Sequence, residues 1–192
     1  MDSIPRLETD RLHLRAIFPH DAEGVFALFS DPQVARYYEF EAFTELAQAI
    51  ELIQNITLWF QNNRAVRWGI FEKATGQLIG SCCFDTFLPN YHSINLGYNL
   101  RSEHWGQGLA TEAVRQTISY AFEHGIVGPV NRIQALTEAE NTSSEQVVRR
   151  LGFQHEGLMR EYGFWKNTYH DMNLFSLIKR DWHGASNAKH PD

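Results

Sequence analysis

A strand that passes through a pair of glycines into a helix restricts the fold of this chain more than any other feature. Residues 95–113 read NLGYNLRSEHWGQGLATEA. After Gly108 the apolar side chains recur at every third or fourth position as far as His124 and Gly125, which predicts an amphipathic helix. The members of this stripe are Leu109, Ala113, Val114, Thr117, Ile118, Ala121 and Phe122. Because the first N–H groups of a helix have no partner within it and its N-terminal end is partly positive, the turn predicts a cradle for a phosphate group.

Gly106 and Gly108 suit such a cradle, because without a Cβ atom they let a phosphate approach the main chain and adopt positive φ at little cost. A nucleoside-triphosphate P-loop is excluded, because no Lys-Ser or Lys-Thr pair follows a glycine. The dinucleotide motif of an oxidoreductase needs Gly or Ala where Thr111 stands and a parallel sheet, whereas residues 65–106 indicate antiparallel strands. A glycine pair that only turns the chain from strand to helix remains the alternative.

Residues 105–113, with the sequence WGQGLATEA, resemble the acetyl-coenzyme A pyrophosphate loop of the GNAT superfamily of N-acetyltransferases. The family pattern is Gln/Arg-x-x-Gly-x-Gly/Ala, and Gly108 and Ala110 fill its last two fixed positions. Trp105 stands where the family has Gln or Arg. We refer below to residues 105–111 as the glycine loop.

Further motifs in the same order indicate the Rim-like branch, which includes the ribosomal-protein N-terminal acetyltransferases. They are the opening strand Leu7–Leu12, the Asn141-x-x-Ser144 pair, Leu151-Gly152-Phe153 and Glu156-Gly157. The resemblance extends from about Arg6 to Trp182. It implies one N-acetyltransferase domain over residues 1–182, and the polar residues 183–192 are predicted to be a flexible tail.

The fold implied is α+β, a three-layer α/β arrangement with about seven mostly antiparallel strands and about four helices. The resemblance also implies that a parallel strand pair splays apart at the cofactor site. Local patterns predict the elements themselves. The predicted strands are Leu7–Ile17, Val66–Glu72, Gln77–Phe84, His92–Leu100, Asn131–Thr137, Phe153–Arg160 and Thr168–Ile178. The other predicted helices start at Pro19, which Asp31-Pro32 would close, near Thr44 as far as Asn63, and at a Thr142-x-x-Glu145 capping box that leads to Gly152.

The resemblance implies which residues bind acetyl-CoA. They are Tyr98, Asn99, Leu100, Trp105, Gly106, Gln107, Gly108, Leu109, Ala110, Thr111, Asn141 and Ser144. In the family the residue matching Asn141 contacts the cofactor, and the one matching Ser144 lies near the thioester sulfur, where it could protonate the leaving thiolate. Local sequence alone favours helix capping for both. Tyr37 and Tyr38 lie in a region that borders the acceptor site in the family, although aromatic clusters are more often core.

The general base is left unassigned by the sequence. Many relatives carry Glu where this chain has Asn95, and the ribosomal-protein enzymes carry Glu at the position aligned with Gly163. The remaining candidates are Glu103, Glu138, Glu161, His92 and His104. A missing strong base favours an α-amine acceptor, because an α-amine of pKa about 7.8 is about one third neutral at about pH 7.5, whereas deprotonating lysine costs about 4 kcal/mol.

Charge and cysteine content narrow the function classes. A net charge of −6 and a pI of 5.8 argue against nucleic-acid binding. The adjacent Cys82 and Cys83 would point to opposite faces of a strand and form no disulfide, which favours the cytoplasm. No signal peptide, membrane span or metal motif is recognisable. Whether the chain is a monomer or a homodimer stays open.

The sequence therefore predicts an acetyl-CoA-dependent N-acetyltransferase whose acceptor is an amine, with the N-terminus of a protein such as a ribosomal protein as the first candidate. A small amine such as an antibiotic or polyamine is the second enzymatic candidate. A non-catalytic module that senses acyl-CoA is the alternative of a different class.

Overall fold

One mixed sheet of eight strands forms the centre of the computed structural model, which describes residues 3–182. Its strands are β1 (Leu7–Glu8), β2 (Leu12–Arg15), β3 (Ala65–Glu72), β4 (Leu78–Leu88), β5 (Ser93–Leu100), β6 (Arg132–Glu138), β7 (Gln154–Trp165) and β8 (Thr168–Ile178). Their order across the sheet is β1-β2-β3-β4-β5-β6-β8-β7. Neighbouring strands run antiparallel except β5 and β6, which are parallel. The fold is therefore the predicted GNAT-like mixed sheet.

Helices cover both faces of this sheet. They are α1 (Ala22–Phe29), α2 (Pro32–Ala35), α3 (Leu46–Gln61), α4 (Leu109–His124) and α5 (Thr142–Arg150). Helices α4 and α5 pack on one face, in a core that includes Ile118, Val148 and Phe175. Helices α1 and α3 pack on the other face around Leu28 and Ile53. The sheet thus separates two apolar layers, as the predicted three-layer arrangement requires.

Helix α4 confirms the periodicity of its sequence. All seven apolar residues of the predicted stripe are buried, and the helix ends at His124 with Gly125 as its C-cap. Full burial of a Leu, Ile, Val or Phe side chain stabilises the folded chain by about 1.5–3 kcal/mol relative to leaving it exposed. The stripe therefore fixes the position of the helix, and with it the position of the glycine loop.

Strands β5 and β6 pair over only part of their length. Their register runs from Ser93 with Arg132 to Leu96 with Ala135. Beyond that point the last residues of β5, 97–100, pair only with β4, and the last residues of β6, 136–138, pair only with β8. The implied splay is thus present, and it leaves one main-chain edge of each strand open.

Four local predictions differ from the structure. The opening strand is broken at residues 9–11, where Thr9 N–H and Oγ1 bond Leu12, so that β1 and β2 form a hairpin. Helix α1 ends at Phe29, before Asp31-Pro32 as predicted, but the short helix α2, which was not predicted, follows with Asp31 as its N-cap. Strand β4 continues through an irregular register to Leu88, past its predicted end at Phe84. Strand β7 continues to Trp165, past its predicted end at Arg160. The predicted tail, residues 183–192, lies outside the described residues.

The predicted capping box at Thr142 is also wrong. Asn141 is the N-cap of α5, and its Oδ1 accepts a hydrogen bond from the Ser144 N–H at 3.1 Å. Glu145 is turned elsewhere and accepts a hydrogen bond from Asn173 Nδ2. Both Asn and Thr are good N-caps, so only the tertiary contact of Glu145 decides between them.

Candidate active site

A cavity of about 410 Å³ opens where β5 and β6 separate. Its wall is formed by the end of β5, the glycine loop, the start of α4, the end of β6 and the start of α5. Every residue predicted to bind acetyl-CoA lines this cavity except Gln107. Gln107 instead bonds the Glu103 carbonyl through Nε2 and accepts from Arg11 through its own carbonyl. The structure thus brings together segments that are far apart in the sequence.

The glycine loop requires its glycines. Gly106 and Gly108 have φ angles of 75° and 77°, a left-handed conformation that costs other residues about 1–2 kcal/mol. Gly108 is the N-cap of α4. Within residues 3–182, the N–H groups of residues 108–111 donate no hydrogen bond. Four unsatisfied donors at the positive end of a 16-residue helix form a site for an anion such as a pyrophosphate.

An ion pair that the sequence analysis missed braces this loop. Arg11, in the turn between β1 and β2, bonds Glu112 in the first turn of α4 through Nε at 2.7 Å. Arg11 Nη1 also donates to the Gln107 carbonyl at 3.0 Å. Thr9 Oγ1 and the Arg11 N–H donate to Glu112 Oε1. Burial alone would raise the pKa of Glu112, but the hydrogen bonds from Thr9 and Arg11 outweigh it and lower that pKa.

Trp105 ties the glycine loop to the end of β5. Its indole Nε1 donates to the Leu100 carbonyl at 2.8 Å, and its ring is 43% exposed. This contact gives the tryptophan a structural part in place of the Gln or Arg of the family pattern. The Leu100 carbonyl therefore has one partner already, before any ligand binds.

Asn141, Ser144 and Tyr98 form a connected group on the α5 side of the cavity. Tyr98 OH donates to the Ser144 carbonyl at 2.9 Å and lies 2.8 Å from Ser144 Oγ. A carbonyl only accepts, so with this arrangement Ser144 Oγ–H donates to Tyr98. Burial raises the pKa of the Tyr98 hydroxyl, which keeps it protonated. Asn141 Nδ2 forms no hydrogen bond within the described chain, so it is available to a ligand.

Aromatic side chains close the cavity beside α2. Tyr37 and Tyr38 line it, as the resemblance implied. Tyr38 also belongs to the apolar cluster around Phe29 and bonds Asn99 Nδ2 through its hydroxyl. Burial raises the pKa of Tyr38. Its ring is therefore both a core residue and part of the cavity wall.

Of the five candidate bases, Glu138 and His104 line the cavity, whereas Glu103, Glu161 and His92 do not. His104 lies in the turn just before the glycine loop, 3.5 Å from Glu103. Asn95 is outside the cavity wall. Gly163 pairs with His170 in the β7–β8 hairpin, and a Cβ atom there would collide with the Trp165 ring.

The described chain contains no group of three or more His, Cys, Asp or Glu side chains placed to hold a metal ion. No helix between residues 3 and 182 is long and apolar enough to cross a membrane.

Comparison with known proteins agrees with this geometry. A family model described as the acetyltransferase (GNAT) domain matches residues 11–154. The uncharacterized N-acetyltransferase YoaA of Bacillus subtilis is 38% identical over 175 residues, which are 91% of this chain and 97% of YoaA. The [ribosomal protein uS5]-alanine N-acetyltransferase of Escherichia coli is 26% identical over 186 residues, 92% of each chain. The structure of RimL, a ribosomal L7/L12 α-N-protein acetyltransferase in complex with coenzyme A, superimposes with a TM-score of 0.80 at 21% identity, covering 91% of this chain and 98% of RimL.

The match to the family model covers most of the chain, and the relative YoaA is similar along nearly its whole length. The chain therefore belongs to the GNAT acetyltransferase family and is an acetyl-CoA-dependent N-acetyltransferase.

Proposed function

We propose that this enzyme acetylates the N-terminal α-amine of a protein, with a ribosomal protein as the first candidate. The observation that carries this proposal is the charge of the cavity wall. Among the described residues of the wall, Glu138 is the single carboxylate and Arg150 the single permanent cation. One carboxylate suits an acceptor with one ammonium group, such as a chain terminus. A polyamine or a polycationic antibiotic would bring several charges that this wall does not balance.

Two relatives support a protein acceptor. The Escherichia coli enzyme similar along 92% of this chain acts on an alanine of ribosomal protein uS5, and RimL is named for the α-amine of L7/L12. The absence of carboxylates at Asn95 and Gly163 is consistent with an α-amine, which needs less help to lose its proton than lysine does.

The residues of the cavity suggest a division of roles toward acetyl-CoA. The free N–H groups of residues 108–111 would hold its pyrophosphate. The pantetheine arm would pair with the open edge of β5 at residues 98–100, as an added strand does, and would contact Asn141 Nδ2. The thioester supplies an activated acetyl group, and Ser144 would protonate the sulfur that leaves.

Thiol release against matched acceptors tests the proposed acceptor. The acceptors are a peptide with a free N-terminal Ala or Ser, the same peptide acetylated at its N-terminus but with one internal Lys, and spermidine. We expect kcat/KM for the free peptide to exceed the other two by at least about 100-fold, from the difference of more than two units between amine pKa values. A higher kcat/KM for spermidine, or equal values for both peptides, would contradict the proposal.

A further inference from the structure

A carboxylate and an imidazole meet on the β6 side of the cavity. Glu138 is the last residue of β6, and His170 lies on the adjacent strand β8. His170 Nδ1 is 3.0 Å from Glu138 Oε1, and the two side chains are 20% and 12% exposed. Burying such a pair costs folding free energy, so the pair is a candidate for a structural or a catalytic role.

The hydrogen bonds of His170 indicate which of its ring nitrogens carries hydrogen. His170 Nε2 is 3.2 Å from the Trp165 carbonyl, which can only accept, so Nε2 carries hydrogen. In a neutral ring Nδ1 would then direct a lone pair at Glu138 Oε1, and the two would repel each other. A proton on Nδ1 would remove this repulsion and would let His170 donate to the Glu138 carboxylate. The Trp165 indole stacks on the imidazole at 3.9 Å and 7°, which favours a charged ring and fixes its orientation.

The carboxylate of Glu138 has open positions for accepting hydrogen bonds. Oε1 is buried, yet no donor in residues 3–182 forms a well-aligned hydrogen bond to it. Oε2 is not buried to that degree, so it is the more accessible oxygen of a residue that lines the cavity. A carboxylate with an open acceptor position in a substrate cavity can take a proton from a bound amine, directly or through one water.

The other candidates lack this placement. Glu103 is 59% exposed and pairs with Arg101. Glu161 lies in an irregular stretch of β7 and His92 in the turn before β5, and both are exposed and outside the cavity wall. His104 lines the wall beside the glycine loop, where the phosphates are expected. Gly163 offers no side chain, and the Trp165 ring covers it while stacking on His170.

We infer that Glu138 is the catalytic base and that His170 is a positioning residue that orients the Glu138 carboxylate. The amine nitrogen bonds to the acetyl carbon while the carbon–sulfur bond breaks. An N–H proton passes to Glu138 and then to solvent. The sulfur takes a proton from the Ser144 hydroxyl, which regains one from solvent, so the products are the amide and free thiol. This inference rests on the acetylation of an amine, and it holds whichever amine the enzyme prefers.

Few other titratable or charged groups share the cavity wall with Glu138. Among the described residues these are Arg150 from α5, Tyr37 and Tyr38 from the segment after α2, Tyr98 from β5 and His104 from the turn after β5. His170 contacts Glu138 from β8 without lining the cavity. Arg150 keeps its charge over the whole pH range of the assay. A change in rate with pH that disappears on substitution of Glu138 can therefore be assigned to the Glu138–His170 pair.

The test compares E138Q with E140Q, a matched change at a carboxylate that is 79% exposed and pairs with Arg36. Each is assayed from pH 6.5 to 9.5 with the amine that the wild type acetylates best. E138Q keeps the shape of the side chain but cannot accept a proton, so kcat/KM at pH 7 should fall about 100-fold. The loss should shrink to about tenfold or less at pH 9.5, where the amine arrives neutral and solvent hydroxide takes its proton. E140Q should stay within about twofold of the wild type.

Two further measurements separate chemistry from structure. Calorimetric affinity for acetyl-CoA should be unchanged in E138Q, which shows that the cavity is intact. H170L should lower kcat about tenfold without changing KM for acetyl-CoA, and H170N, which restores a donor at the Nδ1 position, should recover most of that loss. An E138Q enzyme as active as E140Q, or one impaired equally at every pH, would overturn the inference. A wild type that prefers a small amine would contradict the proposed acceptor and leave this comparison valid.

Discussion

The proposed protonation of the leaving sulfur depends on two hydroxyl groups, those of Ser144 and Tyr98. Ser144 caps nothing through its own side chain, because Asn141 is the N-cap of α5. Its Oγ is instead held 2.8 Å from Tyr98 OH. In that arrangement the Ser144 proton points at the tyrosine, so it must rotate to reach the sulfur. Tyr98 therefore positions Ser144.

Substitutions of this pair should be non-additive. S144A should lower kcat about tenfold, a modest effect because a thiol of pKa about 8.5 leaves readily. Y98F should lower kcat about threefold, and the double variant should resemble S144A, because both residues act through one hydrogen bond. The measurement is kcat at saturating acceptor. Multiplication of the two effects in the double variant would show that Tyr98 acts independently of Ser144.

Two elements far apart in the sequence hold the glycine loop in place. The turn between β1 and β2 supplies Arg11, and the first turn of α4 supplies Glu112. The carboxylate also complements the positive end of the α4 dipole. The pKa of Glu112 is lowered in the folded state. The brace therefore stabilises the fold at pH values above 4.5, the usual pKa of a glutamate, and this contribution is lost as the pH falls through the lower folded-state pKa.

The brace predicts how stability depends on pH. E112Q should lower the unfolding midpoint at pH 7 by about 2–6 °C, the equivalent of about 1–2 kcal/mol for charge-assisted bonds at a partly exposed pair. The difference from the wild type should shrink as the pH falls from 4.5 toward pH 3, because Glu112 becomes protonated. E123Q, on the same helix with a side chain 69% exposed, is the control and should match the wild type. Thermal unfolding followed by circular dichroism at both pH values makes the measurement. A midpoint difference that is equally large near pH 3 would refute the electrostatic part of this account.

The molecule as a whole carries a net charge of −6 and yet uses a polyanionic substrate. Its overall field does not attract the ligand, so the attraction has to be local. On our proposal, residues 108–111 supply it from the main chain, at the point where α4 begins. The sheet makes this possible because β5 delivers the chain to the loop while the splay from β6 leaves room for the rest of the ligand.

Much of this architecture could be predicted from the sequence. The stripe of α4 and the alternation of the strands repeat along one element, so local periodicity reports which face is buried. The glycine loop is predictable for a related reason, because positive φ at Gly106 and Gly108 restricts the residue type.

The rest depends on contacts between distant segments. Arg11 and Glu112 are 101 residues apart, and no local pattern links them. Glu138 and His170 come together only because β8 returns beside β6, so the sequence left five candidate bases without a choice. Thr142 and Asn141 are equally good caps by residue type, and the contact of Glu145 with Asn173 decided between them. Residue type gives the candidates, and the topology of the sheet selects among them.

The central claim is that the main chain of the glycine loop binds the pyrophosphate of acetyl-CoA. Calorimetric titration of G108A tests it most directly, with G76A as the matched control and NADH as the control ligand. Gly76 lies in the β3–β4 turn, and its φ of 72° is close to the 77° of Gly108. An alanine at either position is therefore strained by a similar positive φ. The protein has room for the Gly108 methyl group, whose nearest neighbour would be Arg11 Nη2 at 3.7 Å.

We expect G108A to bind acetyl-CoA at least about tenfold more weakly, the loss of about one charge-assisted hydrogen bond, and G76A to bind as the wild type does. Neither the wild type nor the variants should bind NADH. Equal affinity of G108A and G76A for acetyl-CoA would contradict the claim and show that the glycines only turn the chain from strand to helix.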